Sequence, residues 1–78
     1  MQVMAVTALK TIRLSLGVSQ EGVARRTRSV SMGTIRNAES GKRVTYETAV
    51  QILEAINSLL EEADKTKIAL DDLGLTLY

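Results

Sequence analysis

With 78 residues, 45% of them hydrophobic, and a net charge of +1, the chain is sized for one domain, and a domain this small buries only about 60% of the surface its unfolded chain exposes, so association would help it. It contains neither Cys nor His, which excludes disulfides and thiolate chemistry and removes the commonest general base and metal ligand together; no metal or cofactor is implied. The Ser, Lys and acidic residues show no nucleophile-and-base spacing, so an enzyme is not expected. No apolar run approaches the roughly 20 residues of a membrane span, and MQVMAVTALK has no basic n-region before an apolar stretch; a cytoplasmic protein is expected.

A first helix is predicted from Ala8 to Leu16, capped by Thr7, with Leu9, Ile12 and Leu16 inward, Lys10 outward and Gly17 ending it. Ser19 caps a second helix starting near Gln20. Val23, Ala24 and Thr27 share its buried face, while Glu21, Arg25 and Arg28 point to water. The small Ala24 lets another helix come close. Residues 28–31 interrupt the pattern, and Ser31 is a second N-cap, before a helical run from Met32 to about Ser40. Ile35, Ala38 and Glu39 fall on one side of that run; Met32, Gly33, Arg36, Asn37 and Ser40 fall on the other. Two short helices broken by one tight turn read as a helix-turn-helix.

The outward side has the chemistry of a major-groove reader. Arg36 can pair with guanine, Asn37 with adenine, Met32 can meet a thymine methyl, and Gly33 lets the backbone approach. Exposed Arg and Asn also occur on ordinary solvated helices; the turn spacing and the paired caps favour the groove.

Thr45 caps a fourth helix, with Glu47 in its first turn. Its apolar stripe is Tyr46, Ala49, Val50, Leu53, Ile56 and Leu60, and Ile52 and Leu59 widen it enough to suggest a second packing surface. Ser58 and Glu61 match a capping box that could start a new helix, but no Gly or Pro interrupts the run, which favours one long helix to about Asp64. Beyond it, residues 67–73 suggest a single helical turn ended by Gly74, and Leu75 to Tyr78 alternate like a strand. A lone strand must pair with something or fray. Pairing with a second subunit would make a homodimer, with Leu59, Leu73, Leu75, Leu77 and Tyr78 as contact candidates.

Together, Ser19, Gln20, Val23 and Ala24, then Thr34 and Ile35, then Glu39, Gly41, Lys42 and Arg43 resemble the Xre/Cro/phage-repressor type of helix-turn-helix, over roughly residues 9 to 60. The resemblance implies an all-α, lambda-repressor-like domain of four to five helices, here covering residues 1–65; the alternating tail, residues 66–78, is read beside it as a C-terminal extension that serves dimerisation. It implies that Ser31 to Asn37, Thr34 among them, present the recognition surface, that Gln20, Lys42 and Arg43 contact phosphates, and that Arg13 and Glu39 form a structural ion pair. Arg28, Ser31 and Ser40 are further phosphate candidates. Two departures stand out: the turn is one residue longer than usual and has Arg28 and Ser29 in place of the customary Gly, and the loop after Gly41 lacks the frequent proline.

Charge is divided along the chain. Residues 1–44 hold eight basic and two acidic side chains, +6; residues 45–78 hold two basic and seven acidic, −5. A DNA-binding surface with an acidic far side has this polarity. The leading expectation is a small dimeric repressor of prokaryotic or phage type, bound to double-stranded DNA and so nucleoid-associated, reading a palindromic operator. The competing expectation is an antitoxin-like module that binds a protein partner through residues 45–78 and uses DNA for autoregulation. RNA is disfavoured because stacking aromatics are missing, with only Tyr46 and Tyr78 present.

Overall fold

Four side chains start the four helices. In the computed structural model, which describes residues 7–78, the Lys10 N–H donates to Thr7 Oγ1 at 3.2 Å, Gly22 N–H to Ser19 Oγ at 2.9 Å, Thr34 N–H to Ser31 Oγ at 3.1 Å and Thr48 N–H to Thr45 Oγ1 at 3.1 Å. Each bond satisfies an amide that the first helical turn leaves without a partner. The helices that follow are α1 (Ala8–Ser15), α2 (Gln20–Arg26), α3 (Met32–Glu39) and α4 (Tyr46–Glu62), with a 3-10 turn at Leu70–Leu73. The opening stretch read for a targeting signal lies largely outside the described residues.

Helix ends are equally local. After α1 and α3, Gly17 and Gly41 take left-handed φ of 70° and 90°, and the next amide folds back: Val18 N–H to the Arg13 carbonyl at 3.3 Å, Lys42 N–H to Asn37 at 3.0 Å. This is the Schellman closure, which returns orphan carbonyls to the ladder. At the end of α4, Asp64 adopts the left-handed conformation (φ 59°), and Lys65 N–H reaches the Leu60 carbonyl at 2.8 Å. One long helix therefore spans the Ser58–Glu61 segment, and Ser58 Oγ accepts from Arg26 instead of starting a helix.

The turn from α2 to α3 does without glycine because no residue from 27 to 31 needs a positive φ. Side chains hold it. Val30 N–H donates to Thr27 Oγ1 at 3.0 Å, and the Thr27 hydroxyl donates to the Ala24 carbonyl at 2.6 Å. From α4, the buried Gln51 accepts from Ser29 N–H at 3.0 Å and donates to Ser29 Oγ at 3.1 Å. Val30, expected only as part of an interruption, is the turn's buried apolar anchor.

Leu9, Val23, Ile35, Ala38, Ala49, Ile52, Ile56 and Leu73 form the fully buried centre of the core, with α2 packed on α3 and α4. Two expectations for α4 are corrected by this packing. Tyr46 does not join the stripe: the buried arc is centred on Ile52, about 120° away at ~100° per residue, and Tyr46 is 66% exposed. Nor do Ile52 and Leu59 form a spare surface, since both are buried in the core of this chain.

That segment does not stand apart as an extension. The Asn57 side chain accepts from Ile68 N–H at 2.8 Å and donates to the Ile68 carbonyl at 3.0 Å, and the 3-10 turn then packs against α1 and α4. Gly74, left-handed at φ 65°, carries the chain past Ala8. Leu73 is therefore a core residue, and Leu75 packs half-buried against the same core. Among the described residues the tail makes one parallel bridge with its own chain, Val44 to Leu77.

Candidate nucleic-acid interface

Burial of Ile35, Ala38 and Glu39 turns the other side of α3 outward. Met32, Gly33, Arg36 and Asn37 are all exposed along a helix of eight residues, about 12 Å long at 1.5 Å per residue, and Ser40, its C-cap, is exposed just beyond it. Met32, at the helix start, is 40% exposed. Thr34 sits at the edge, half-buried, with its hydroxyl 3.0 Å from the capping Ser31 Oγ. The Ser40 hydroxyl donates to the Asn37 carbonyl at 2.9 Å and stays exposed.

Beneath this surface lies a buried ion pair. Arg13 is 7% exposed and Glu39 5%; the guanidinium meets both carboxylate oxygens, Nη2 to Oε1 at 3.0 Å and Nε to Oε2, while Nη1 donates to the Val18 carbonyl at 2.9 Å. Gln20 Nε2 donates to Glu39 Oε1 at 3.0 Å. Burial pushes the Glu39 carboxyl up, but the hydrogen bonds from Arg13 and Gln20 and the nearby positive charge outweigh it and hold the group below its ordinary value. The cluster ties α1 and the start of α2 to the last turn of α3, fixing the angle at which α3 is presented. Gln20, a phosphate candidate, thus has one amide hydrogen engaged inside the fold and one left over.

The basic half of the sequence is less uniform in space than along the chain. Arg25 pairs with Glu21, Arg26 with Glu62, and Arg28 with Glu54 at 3.3 Å. Two of these pairs draw their arginines toward α4. Among the described residues, Arg36, Lys42 and Arg43 make no ion pair, and they lie on the last turns of α3 and the loop just after it. Arg36, Lys42 and Arg43 thus leave a local excess of positive charge at the end of α3. The described residues contain no cluster of acidic side chains able to hold a metal ion and no helix long and apolar enough to cross a membrane.

Gly33 is the residue the fold does not need. Its φ is not in the left-handed region, and a Cβ there would meet nothing nearer than Ser31 Oγ at 3.8 Å. Gly33→Ala should stabilise the free protein by about 0.5–1 kcal/mol, since glycine weakens a helix interior. If the α3 backbone lies against DNA, the same methyl should lower duplex affinity about fivefold or more, roughly 1 kcal/mol. Thermal melts and fluorescence anisotropy read the two opposite effects; equal affinity with a raised melting point would remove Gly33 from the interface.

An exposed, polar α3 carrying Arg36, tied to α1 and α2 by a buried ion pair and joined to α2 by a glycine-free turn, has the form of a helix-turn-helix. The chain belongs to the helix-turn-helix family of the Xre/Cro/lambda-repressor type, whose family model, described as helix-turn-helix, matches residues 9–62. No curated protein and no solved structure matches it. The protein is a DNA-binding transcription regulator.

Proposed function

We propose that the protein is a small repressor that binds, as a homodimer, a two-fold operator, with α3 in the major groove. The observation that carries this reading is the outward face of α3, where Met32, Gly33, Arg36 and Asn37 are exposed beside Lys42 and Arg43, which make no ion pair among the described residues. Arg36 and Asn37 supply paired hydrogen bonds to base edges, and Lys42 and Arg43 supply phosphate contacts. Repression needs only occupancy, because a bound dimer excludes polymerase without any further surface. With Leu59 and Leu73 committed to the core, the contact between subunits falls to Leu77 and Tyr78, which are 37% and 83% exposed.

Selection of bound duplexes from a random library at moderate salt tests the proposal, since salt suppresses purely electrostatic binding. The expected product is a symmetric motif with half-sites about one DNA turn, ~34 Å, apart. An asymmetric motif would overturn the dimer, and no enrichment by the folded protein would overturn operator reading. On the selected site Arg36→Ala should cost about 1–3 kcal/mol and much less on random DNA. Equal losses on both would remove Arg36 from base recognition.

A further inference from the structure

The loop between α3 and α4 carries the phosphate-contact cations of the proposed function, and its middle is held from an unexpected direction. Lys42 and Arg43 make no side-chain hydrogen bond among the described residues. The loop's ends are tied by the Lys42 amide to Asn37 and by the Thr45 cap. Between them, both backbone polar groups of Val44 go to the C-terminal segment: Val44 N–H donates to the Thr76 carbonyl at 2.9 Å, and Tyr78 N–H donates to the Val44 carbonyl at 3.1 Å. The Val44 side chain is 5% exposed. The segment has its own anchors on α1 and α4 through Leu73, Gly74 and the Asn57–Ile68 pair. It also lies beyond the residues 9–62 shared with the family.

We propose that Thr76–Tyr78 is a strap that positions Lys42 and Arg43 for DNA by pairing with Val44. This rests on the reading of those two cations as phosphate contacts. A loop tethered at its midpoint holds its side chains near the DNA backbone before binding, so less conformational freedom is lost on association. Residues 76–78 therefore act on affinity for all sequences, not on the choice of base.

The full chain tests this through Tyr78, whose side chain is exposed while its amide makes the bond. Tyr78→Pro deletes the N–H and leaves the core untouched; Tyr78→Ala keeps it. Tyr78→Pro should bind operator and random duplexes about three- to tenfold more weakly alike, with the slope of log affinity against log salt shallower by about 1–2, one unit for each phosphate no longer neutralised. Tyr78→Ala keeps the N–H and removes the ring offered to a second subunit, so it carries any loss from dimerisation, and the strap predicts that Tyr78→Pro binds more weakly and with a shallower slope than Tyr78→Ala. In a Lys42→Ala, Arg43→Ala background the proline should have no further effect, whereas a merely structural loss would persist there. Unaltered affinity and slope in Tyr78→Pro, in a wild-type chain that binds duplex, would overturn the strap; a wild-type chain that binds neither duplex would overturn the reading beneath it.

Discussion

Arg13→Ala should cost about 3–5 kcal/mol of folding stability, against a total of about 4–12 kcal/mol for a chain this long, and so bring the protein close to unfolding at room temperature. The cause is what the substitution leaves behind. Glu39, 5% exposed, would keep only the Gln20 hydrogen bond, and the Val18 carbonyl would lose the Arg13 donor. An uncompensated buried carboxylate is far more costly than the pair was worth. Replacing both partners, Arg13→Met with Glu39→Met, should therefore recover most of the loss, and melts followed by circular dichroism distinguish the two. A loss under about 1 kcal/mol for Arg13→Ala would place the pair with exposed ion pairs of small effect.

The same pair sets a pH response. Because the folded-state pKa of Glu39 lies below its unfolded value, the stabilisation is complete above the ordinary carboxylate range, about 4.3, and is lost as pH falls through the depressed folded value. Urea midpoints should fall on acidification below that range. Glu39→Gln should flatten the dependence while lowering stability at neutral pH.

Leu73→Ala should destabilise by about 2–5 kcal/mol, the range for a leucine truncated in a packed core. Leu73 has no exposed surface and sits where the 3-10 turn meets α1 and α4. If residues after α4 served only a partner or frayed in solution, the substitution would be nearly silent in an isolated protomer. Denaturation at low protein concentration reads the difference. The expected large loss would establish that a segment outside the family match is part of the folding unit.

Much of this architecture is written locally in the chain. Thr7, Ser19, Ser31 and Thr45 are caps because a hydroxyl three residues before an unpartnered amide closes a short ring whatever the rest of the fold does. The buried faces of α2 and α3 follow from spacing in the same way, and the exposed α3 residues are the complement of Ile35, Ala38 and Glu39. What local pattern could not supply is partner choice across the chain. Gln51 lies in the buried arc of α4 with Ile52 and Ala55, and a polar residue there signals a need for a partner, yet nothing near it names Ser29. Arg26 and Arg28 look like free cations until α4 brings Glu62 and Glu54 beside them. Tyr46 departs from the expected stripe because the first residue of a helix has neighbours on one side only, which leaves the centre of the stripe poorly defined. Leu59 and Leu73 look available for a second subunit because the return of the tail depends on Asn57 holding Ile68, a pairing without periodicity.

The outward turn of Tyr46 has an optical consequence. The chain has no Trp or Phe, and its two tyrosines, 66% and 83% exposed, lie on the loop side of α4 and at the last residue of the tail. Both rings are already solvated in the native state, so their emission is nearly blind to melting of the aliphatic interior. It responds instead to whatever covers those two surfaces. Tyrosine emission and helical dichroism thus observe separate events in this molecule, any covering of the two rings in one and loss of the fold in the other.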